Sequence, residues 1–283
     1  MSEKWIDRSW KDIITENADD AILFFKPDFA ADRDYSRQPF LIPNELPAID
    51  TDSDKGSRNS DVGLSVPLKT GENQRIAFHI EQQHRDERHF FAKRMFQSYY
   101  RLSDRLQMPV TSLAIFTGNV TPADIYTASC YGTEVNFRYS FFHVASADIK
   151  KLESDERIFA LVVLAARRML DAGENPVDRG KYSLELLNLT RERGYDAERA
   201  RSVQKFIYRI LRIRDEKIDP KVREVWKMQL IPIDEAVREI QIRDAKEEKA
   251  FEVAQKLLTR GISPEIIAES ADLPLDEVKS LIN

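Results

Sequence analysis

The sequence has little cysteine, no long hydrophobic run and no excess of basic residues. Cys130 is the single cysteine in 283 residues, which excludes a disulfide framework and a zinc site built from several cysteines. The longest apolar run covers residues 158–166, well short of the ~20 residues that span a bilayer. The N-terminal residues show no signal-peptide pattern. We therefore expect a soluble cytoplasmic protein with no membrane partner, and we expect Cys130 to be an inert buried thiol.

The charge balance is acidic, with 43 Lys and Arg residues against 48 Asp and Glu residues and a formal net charge of −5. Proteins that bind nucleic acid carry basic surface, because their affinity comes largely from neutralising phosphates. One segment departs from the acidic average: residues 88–107 contain five basic residues and one acid, Asp104. This segment indicates either a basic DNA-binding helix or an ordinary solvated helix face.

Hydrophobic spacing indicates an α/β arrangement in the first half of the chain. Residues 62–66 and 76–80 alternate with strand period around turn residues at 70–73, which predicts a β-hairpin. Apolar residues three and four apart predict a helix over residues 88–106, and residues 110–116 form an apolar, β-branched run typical of a buried strand. A strand, a helix and a strand at this spacing predict a right-handed parallel crossover beside the hairpin.

The remaining segments predict mostly helices. Residues 3–29 indicate one or two helices, residues 30–60 mainly loop, and residues 135–142 an edge strand. Helices are then predicted over residues 155–171, 181–193, 196–214 and 219–243, with Asp219 as an N-cap before Pro220 and a further helix start at Ser263-Pro264-Glu265. The predicted domains are an α/β domain over 1–150, a helical extension over 151–240, and a charged connector with a short helical tail over 241–283.

Oxygen-bearing side chains gather at one end of the predicted hairpin. Asp61 opens the first strand, and Glu81 and Gln83 lie late on the second strand, on the same face as His79. A turn near residues 71–73 places Asp61 roughly opposite residue 82 or 83. Two carboxylates and an amide oxygen suit a hard octahedral cation such as Mg²⁺. The spacing alone also fits an acidic, solvated strand end.

These residues carry a resemblance to known nucleases. An Asp, a hairpin, Glu-x-Lys or a variant, and then a helix is the arrangement of the PD-(D/E)XK nucleases. More narrowly, the chain resembles the bacterial recombination-promoting nuclease and transposase family. The matching segments are Asp34-Tyr35-Ser36-Arg37, His79-Ile80-Glu81-Gln82-Gln83, Arg94-Met95-Phe96-Gln97-Ser98-Tyr99-Tyr100-Arg101-Leu102, residues 110–116, Tyr131-Gly132, residues 159–165 and the closing residues 253–282. The resemblance covers most of the chain.

The resemblance implies an α/β, restriction-endonuclease-like core with a mixed sheet, and Mg²⁺-dependent cleavage of DNA linked to recombination or mobile elements. Mn²⁺ is expected to substitute for Mg²⁺. Asp61, Glu81 and Gln83 would be catalytic, with Asp61 and Glu81 as the metal ligands. Gln83 replaces the usual lysine and has no charge to stabilise a phosphate, which predicts slower chemistry. The alternative is a catalytically degenerate fold that binds DNA or protein.

Other residues have two interpretations each. Arg94 and Arg101 share a helix face and, with Lys93, could bind DNA phosphates; the rival is that the two arginines anchor the helix to the acidic N-terminal region. Three residues could support the site: His79, as a ligand or as a hydrogen-bonded structural histidine, and Glu16 or Asp34, as an assisting acid. The tail resembles a helix-turn-helix, but its acids favour packing or homo-oligomerisation over base contacts.

Overall fold

A mixed five-stranded sheet forms the centre of the larger of two compact units in the computed structural model. The structure describes residues 4–42, 62–69, 75–84, 88–213, 216–229 and 249–271, together with 273, 278, 279 and 281. The strands of this sheet, in spatial order, are β1 (Phe40–Leu41), β2 (Val62–Pro67), β3 (Arg75–Gln83), β4 (Val110–Phe116) and β7 (Ser140–His143). A separate two-stranded sheet contains β5 (Ile125–Cys130) and β6 (Thr133–Arg138). The α/β class predicted from the spacing is confirmed.

The predicted hairpin is present as an antiparallel pair of β2 and β3. Val62 lies opposite Ile80, and Pro67 lies opposite Arg75. The turn predicted at 70–73 lies outside the described residues. The short strand β1 pairs with β2 on the other side, so the segment 30–60, which was predicted as mainly loop, contains a strand.

A parallel crossover follows the hairpin. Helix α4 (Arg88–Leu106) connects β3 to β4, and the two strands pair in parallel from Ala77 opposite Val110 to Gln83 opposite Phe116. The helix and the strand that the spacing predicted here are confirmed. The ends of β3 and β4 also come very close beyond the pairing, since a Cβ added at Gly118 would lie 1.9 Å from the carbonyl oxygen of His84.

The single edge strand predicted over residues 135–142 is wrong. Strand β6 ends at Arg138 and pairs with β5, whereas β7 begins at Ser140 and pairs in parallel with β4. The chain changes sheets at Tyr139, whose amide donates to the carbonyl of Asp124 at 3.0 Å. Because the alternation of apolar residues continues through both strands, the sequence carries no mark of the change. Cys130, at the end of β5, is exposed and not buried as expected.

Helix α4 covers one face of the five-stranded sheet. Phe91 and Met95 of this helix are fully buried and pack with Ala114 and Phe116 of β4. Burial of these apolar groups stabilises the crossover, at roughly 25 cal/mol for each Å² removed from water.

The N-terminal helices and one later helix cover the other face. They are α1 (Lys4–Glu16), α2 (Ala18–Phe25), α3 (Pro27–Asp32) and α6 (Ile158–Ala172). Phe29 of α3 meets Phe78 of β3 with ring centroids 5.8 Å apart, and Phe25 meets Phe159 of α6 at 5.5 Å. Helix α3 lies partly in the segment predicted as loop, and Pro27 starts it because proline fits the first turn of a helix.

The helical second half packs against the first half within the same compact unit. Its other helices are α5 (Ile149–Ser154), α7 (Pro176–Glu192), α8 (Ala197–Ile210) and α9 (Pro220–Gln229), with a 3-10 turn at Val144–Ser146. Trp10 of α1 meets Phe206 of α8 at 5.3 Å. The predicted cap of α9 is confirmed, because Asp219 accepts a hydrogen bond from the amide of Lys221 at 2.8 Å. The boundary placed at residue 150 stays a prediction.

The second compact unit contains the closing helices. Residues 249–258 are helical (α10), and α11 (Pro264–Ala271) starts at the predicted proline. Ala254, Ile267 and Val278 form its buried core. Across both units, no helix within the described residues is long and apolar enough to cross a membrane.

Candidate metal centre

The candidate site begins with three alternating polar residues of β3. His79, Glu81 and Gln83 lie on one face of the strand, and their exposed fractions are 0%, 0% and 6%. Their burial follows from the fold, because β3 lies between β2 and β4 and the helix α4 covers this face. The sequence alternation predicted that the three residues share one face of β3. It did not predict that α4 covers this face.

Arg94 of α4 reaches this face and holds two of the three side chains. Its Nε donates to Glu81 Oε1 in a close ion pair, and its Nη2 donates to Gln83 Oε1 at 2.8 Å. The Arg94 side chain is 30% exposed, whereas that of Glu81 is fully buried. The arginine therefore reaches from the rim of the helix inward to a carboxylate that water does not touch.

The pair of Arg94 and Glu81 has a clear energetic meaning. A buried carboxylate needs a compensating charge, and removing one partner of such a pair typically costs about 3–5 kcal/mol. The guanidinium also lies over the ring of Phe91, 5.2 Å from its centroid, which adds a cation–π contact. Among the described residues, Arg94 thus pairs with a strand of the sheet.

His79 lies two residues before Glu81 and contacts β4. Its Nδ1 is 3.3 Å from the hydroxyl of Ser112, within hydrogen-bond reach. The ring is fully buried, which agrees with a structural histidine, while its place on the same face keeps it beside Glu81. Its role as a supporting residue stays a prediction.

Tyr139 adds a group that the sequence did not single out. Its side chain packs with Phe91 and Ala114, and its hydroxyl is buried with no hydrogen-bond partner among the described residues. Burial raises the pKa of this hydroxyl well above its usual value, and the negative charge of Glu81 raises it further. Tyr139 therefore stays protonated close to the Glu81 carboxylate.

The predicted ligand Asp61 lies outside the described residues. The described part of the hairpin register pairs Val62 with Ile80. In the sequence, Asp61 immediately precedes Val62, and Glu81 immediately follows Ile80. The contribution of Asp61 to a metal site stays a prediction.

The two candidate assisting acids are held by other parts of the protein. Asp34 accepts hydrogen bonds from Ser36 and Arg37, which hold the pKa of its carboxyl down at about 2, and its amide donates to the carbonyl of Pro67. Pro67 is at the end of β2 opposite to Val62, so Asp34 lies by the far end of the hairpin. Glu16 accepts a hydrogen bond from Ser202 of α8 at 2.6 Å. The structure does not bring either acid to Glu81.

Lys93 and Arg101, the other two predicted DNA-binding residues, do not contribute to this ion pair. Lys93 is exposed and Arg101 is half-buried, and neither is bonded to Glu81 or Gln83. Both remain candidates for contact with phosphates. The three predicted DNA-binding residues thus divide into one that holds the site and two on the helix surface.

The chemistry of the donors fits a hard divalent cation. The Arg94 guanidinium, itself a cation, binds the carboxylate oxygen of Glu81 and the amide oxygen of Gln83. Both oxygens are ligand types that Mg²⁺ accepts. In the described residues, no three His, Cys, Asp or Glu side chains gather in a way that could hold a metal ion. Asp61 is not among those residues.

The inward position of Arg94 had a signal in the sequence. Arg94 follows Phe91 by three residues and precedes Ser98 by four, so it lies on the buried stripe of α4, beside Met95. A charged residue on such a stripe needs a buried partner. Tyr139 had no comparable signal.

Comparison of the chain with protein-family models, with curated proteins and with solved structures gives no match in any of the three.

Proposed function

We propose that the protein is a Mg²⁺-dependent DNA endonuclease with a PD-(D/E)XK core, in which Glu81 and Gln83 hold the metal together with Asp61. The observation that carries the proposal is the pair of oxygens on β3 that converge on one cation, the guanidinium of Arg94. The order of hairpin, helix and parallel strand around them agrees with this interpretation.

Each residue has a distinct part in the proposed reaction. Glu81, Gln83 and Asp61 would hold a Mg²⁺ ion, which would lower the pKa of a coordinated water and polarise the scissile phosphate. Glu81 supplies a buried negative oxygen, and Gln83 supplies a neutral one, so less negative charge opposes the approach of the phosphate. Lys93 and Arg101, on the helix above, bind the flanking phosphates of the DNA backbone. Mn²⁺ takes the same oxygen ligands and supports the same reaction.

Plasmid nicking tests the catalytic part of the proposal. We expect Asp61→Ala to lower Mg²⁺-dependent nicking by at least about a hundredfold, because one charged ligand of the metal is lost. Relaxation of supercoiled plasmid in Mg²⁺ and in EDTA measures the rate, and circular dichroism verifies that the variant folds.

Asp34→Asn is the matched control for this experiment. It removes one carboxylate at the end of the hairpin away from Glu81. We expect it to nick plasmid at the rate of the unmodified protein. Equal nicking by Asp61→Ala and the unmodified protein would contradict the assignment.

A second candidate function is a DNA-binding or protein-interaction module with an inactive nuclease fold. The complete burial of Glu81 and its ion pair with Arg94 favour it, since such a pair can be purely structural. Thermal unfolding separates the two functions. A nuclease gains melting temperature with Mg²⁺ or Mn²⁺, because a ligand of the native state stabilises it, whereas an inactive module shows no gain.

A further inference from the structure

We infer that Arg94 occupies the place of the metal ion in the metal-free protein, and that binding of a divalent cation releases its guanidinium to bind the substrate phosphate. The inference rests on the proposed function, because it concerns the same site. It adds a competition between a side chain and a metal ion for the same oxygens.

The first support is the geometry of the guanidinium. The Nε and Nη2 atoms form one edge of that planar group, so the oxygens of Glu81 and Gln83 that they bind lie on the same side of it. Nη2 can only donate, so Gln83 presents its amide oxygen to this point. The two oxygens that a cation would use are thus already directed at one positive group.

The second support is that the two ions cannot share these oxygens without strong repulsion. A guanidinium hydrogen-bonded to Glu81 Oε1 would lie a few ångströms from a metal bound to the same atom. Like charges at that separation repel strongly where the surroundings exclude water. Binding of the metal therefore requires that Arg94 leave.

The third support is the exposure of the two partners. The side chain of Arg94 is 30% exposed, whereas Glu81 has no exposed surface. Arg94 can move outward from the rim of α4 into solvent, and Glu81 stays in place. The mobile member of the pair is therefore the arginine.

The exchange changes the charge of the site. In the ion pair, the charges of Glu81 and Arg94 cancel. When a divalent cation binds Glu81 and Arg94 remains close by, the site gains the two positive charges of the metal. The more positive site then attracts the DNA backbone, so that metal and substrate binding support each other.

The affinity for Mn²⁺ alone, without DNA, tests the inference. The proteins compared are the full-length unmodified chain, Arg94→Gln, Arg94→Lys and Arg105→Gln, titrated by calorimetry. We expect Arg94→Gln to bind Mn²⁺ at least about tenfold more tightly than the unmodified protein, because the competing cation is absent. A residue with only a structural role would have the opposite effect, since its loss would weaken the site.

The other variants sharpen the result. Arg105→Gln removes the same charge from the same helix and should leave the affinity close to that of the unmodified protein. Arg94→Lys keeps a charge opposite Glu81 but cannot bridge to Gln83 with a planar fork, so we expect an intermediate affinity. It also serves as the test variant if circular dichroism shows that Arg94→Gln does not fold.

The outcomes separate this inference from the proposed function. If the unmodified protein binds Mn²⁺ and the folded Arg94 variants bind it equally or more weakly, the exchange is overturned. The proposed metal site is still supported by that result. If the Arg94 variants bind Mn²⁺ more tightly and the unmodified protein cleaves no DNA, the exchange is supported and the nuclease function is rejected. If none of the four proteins binds Mn²⁺, the exchange and the metal site are both rejected.

Discussion

Two tyrosine hydroxyls, those of Tyr139 and Tyr195, differ in their hydrogen bonds and therefore in their expected effects on stability. The hydroxyl of Tyr139 is buried without a hydrogen-bond partner among the described residues, which is unfavourable. Tyr195 in the helical half provides a contrast. Its hydroxyl donates to the carbonyl of Glu156 at 3.0 Å and accepts from Arg193.

We therefore expect Tyr139→Phe to leave the free energy of unfolding unchanged or to raise it by about 1 kcal/mol. Tyr195→Phe removes a hydrogen-bonded hydroxyl and should lower the same quantity by about 1 kcal/mol. Urea unfolding of both variants measures the difference. A loss at Tyr139 as large as that at Tyr195 would show that the Tyr139 hydroxyl is hydrogen-bonded to water in solution.

The residues of the candidate site were only partly predictable from the sequence. The alternation along β3 placed Glu81 and Gln83 on one face, because a strand directs every second side chain to the same side. The ion pair with Arg94 was not predicted, since it depends on the rotation of α4 about its axis above the sheet. Its two partners are 13 residues apart in the sequence, beyond the reach of any local pattern.

At the scale of elements, local spacing predicted β2, β3, α4 and β4 well. Each has a run of apolar residues with one clear period, bounded by polar or turn residues. Several elements were missed, and two of them were missed for opposite reasons. The acids around Pro27 concealed the short helix α3, and the continuous alternation past Tyr139 concealed the change from β6 to β7. Such changes depend on tertiary contacts that a local pattern does not contain.

The approach of the ends of β3 and β4 leads to a prediction about Gly118. A Cβ at this position would lie 1.9 Å from the backbone oxygen of His84, and backbone cannot rotate aside as a side chain does. Overpacking of this kind typically costs about 1–3 kcal/mol, so Gly118→Ala should lower the free energy of unfolding by that amount.

Gly180 in α7 is the matched control for this substitution. A Cβ there would lie 3.4 Å from a side-chain methyl of Val222, an ordinary contact. Because alanine favours helix over glycine, Gly180→Ala should raise the free energy of unfolding by up to about 1 kcal/mol. Urea unfolding compares both variants, and equal effects at the two positions would contradict the close approach at Gly118.

The whole molecule has a net charge of −5, which works against binding DNA. If a divalent cation adds positive charge at Glu81 and releases Arg94, DNA affinity should depend on that cation. We expect binding of a short duplex to be at least about tenfold tighter in Ca²⁺ than in EDTA at the same ionic strength. Fluorescence anisotropy measures both affinities, and Ca²⁺ is used because it takes oxygen ligands and is expected to support binding with little cleavage.

Equal affinities in Ca²⁺ and EDTA would show that DNA binding, if present, does not depend on a bound metal ion. Glu81→Gln should then also have equal affinities in the two buffers. If the metal carries binding, Glu81→Gln should instead lose the gain in Ca²⁺, so that its affinity is the same in Ca²⁺ and in EDTA.

The exposed thiol of Cys130 has a practical consequence for any measurement of oligomeric state. It is the single cysteine of the chain, and it lies at the end of β5, next to the exposed ring of Tyr131. Two molecules can join through it by air oxidation, so a dimer seen without reductant could be a disulfide product and not an assembly of the closing helices. The same thiol accepts a single maleimide dye, which would place a reporter on the β5–β6 sheet and leave the sheet that contains Glu81 unlabelled.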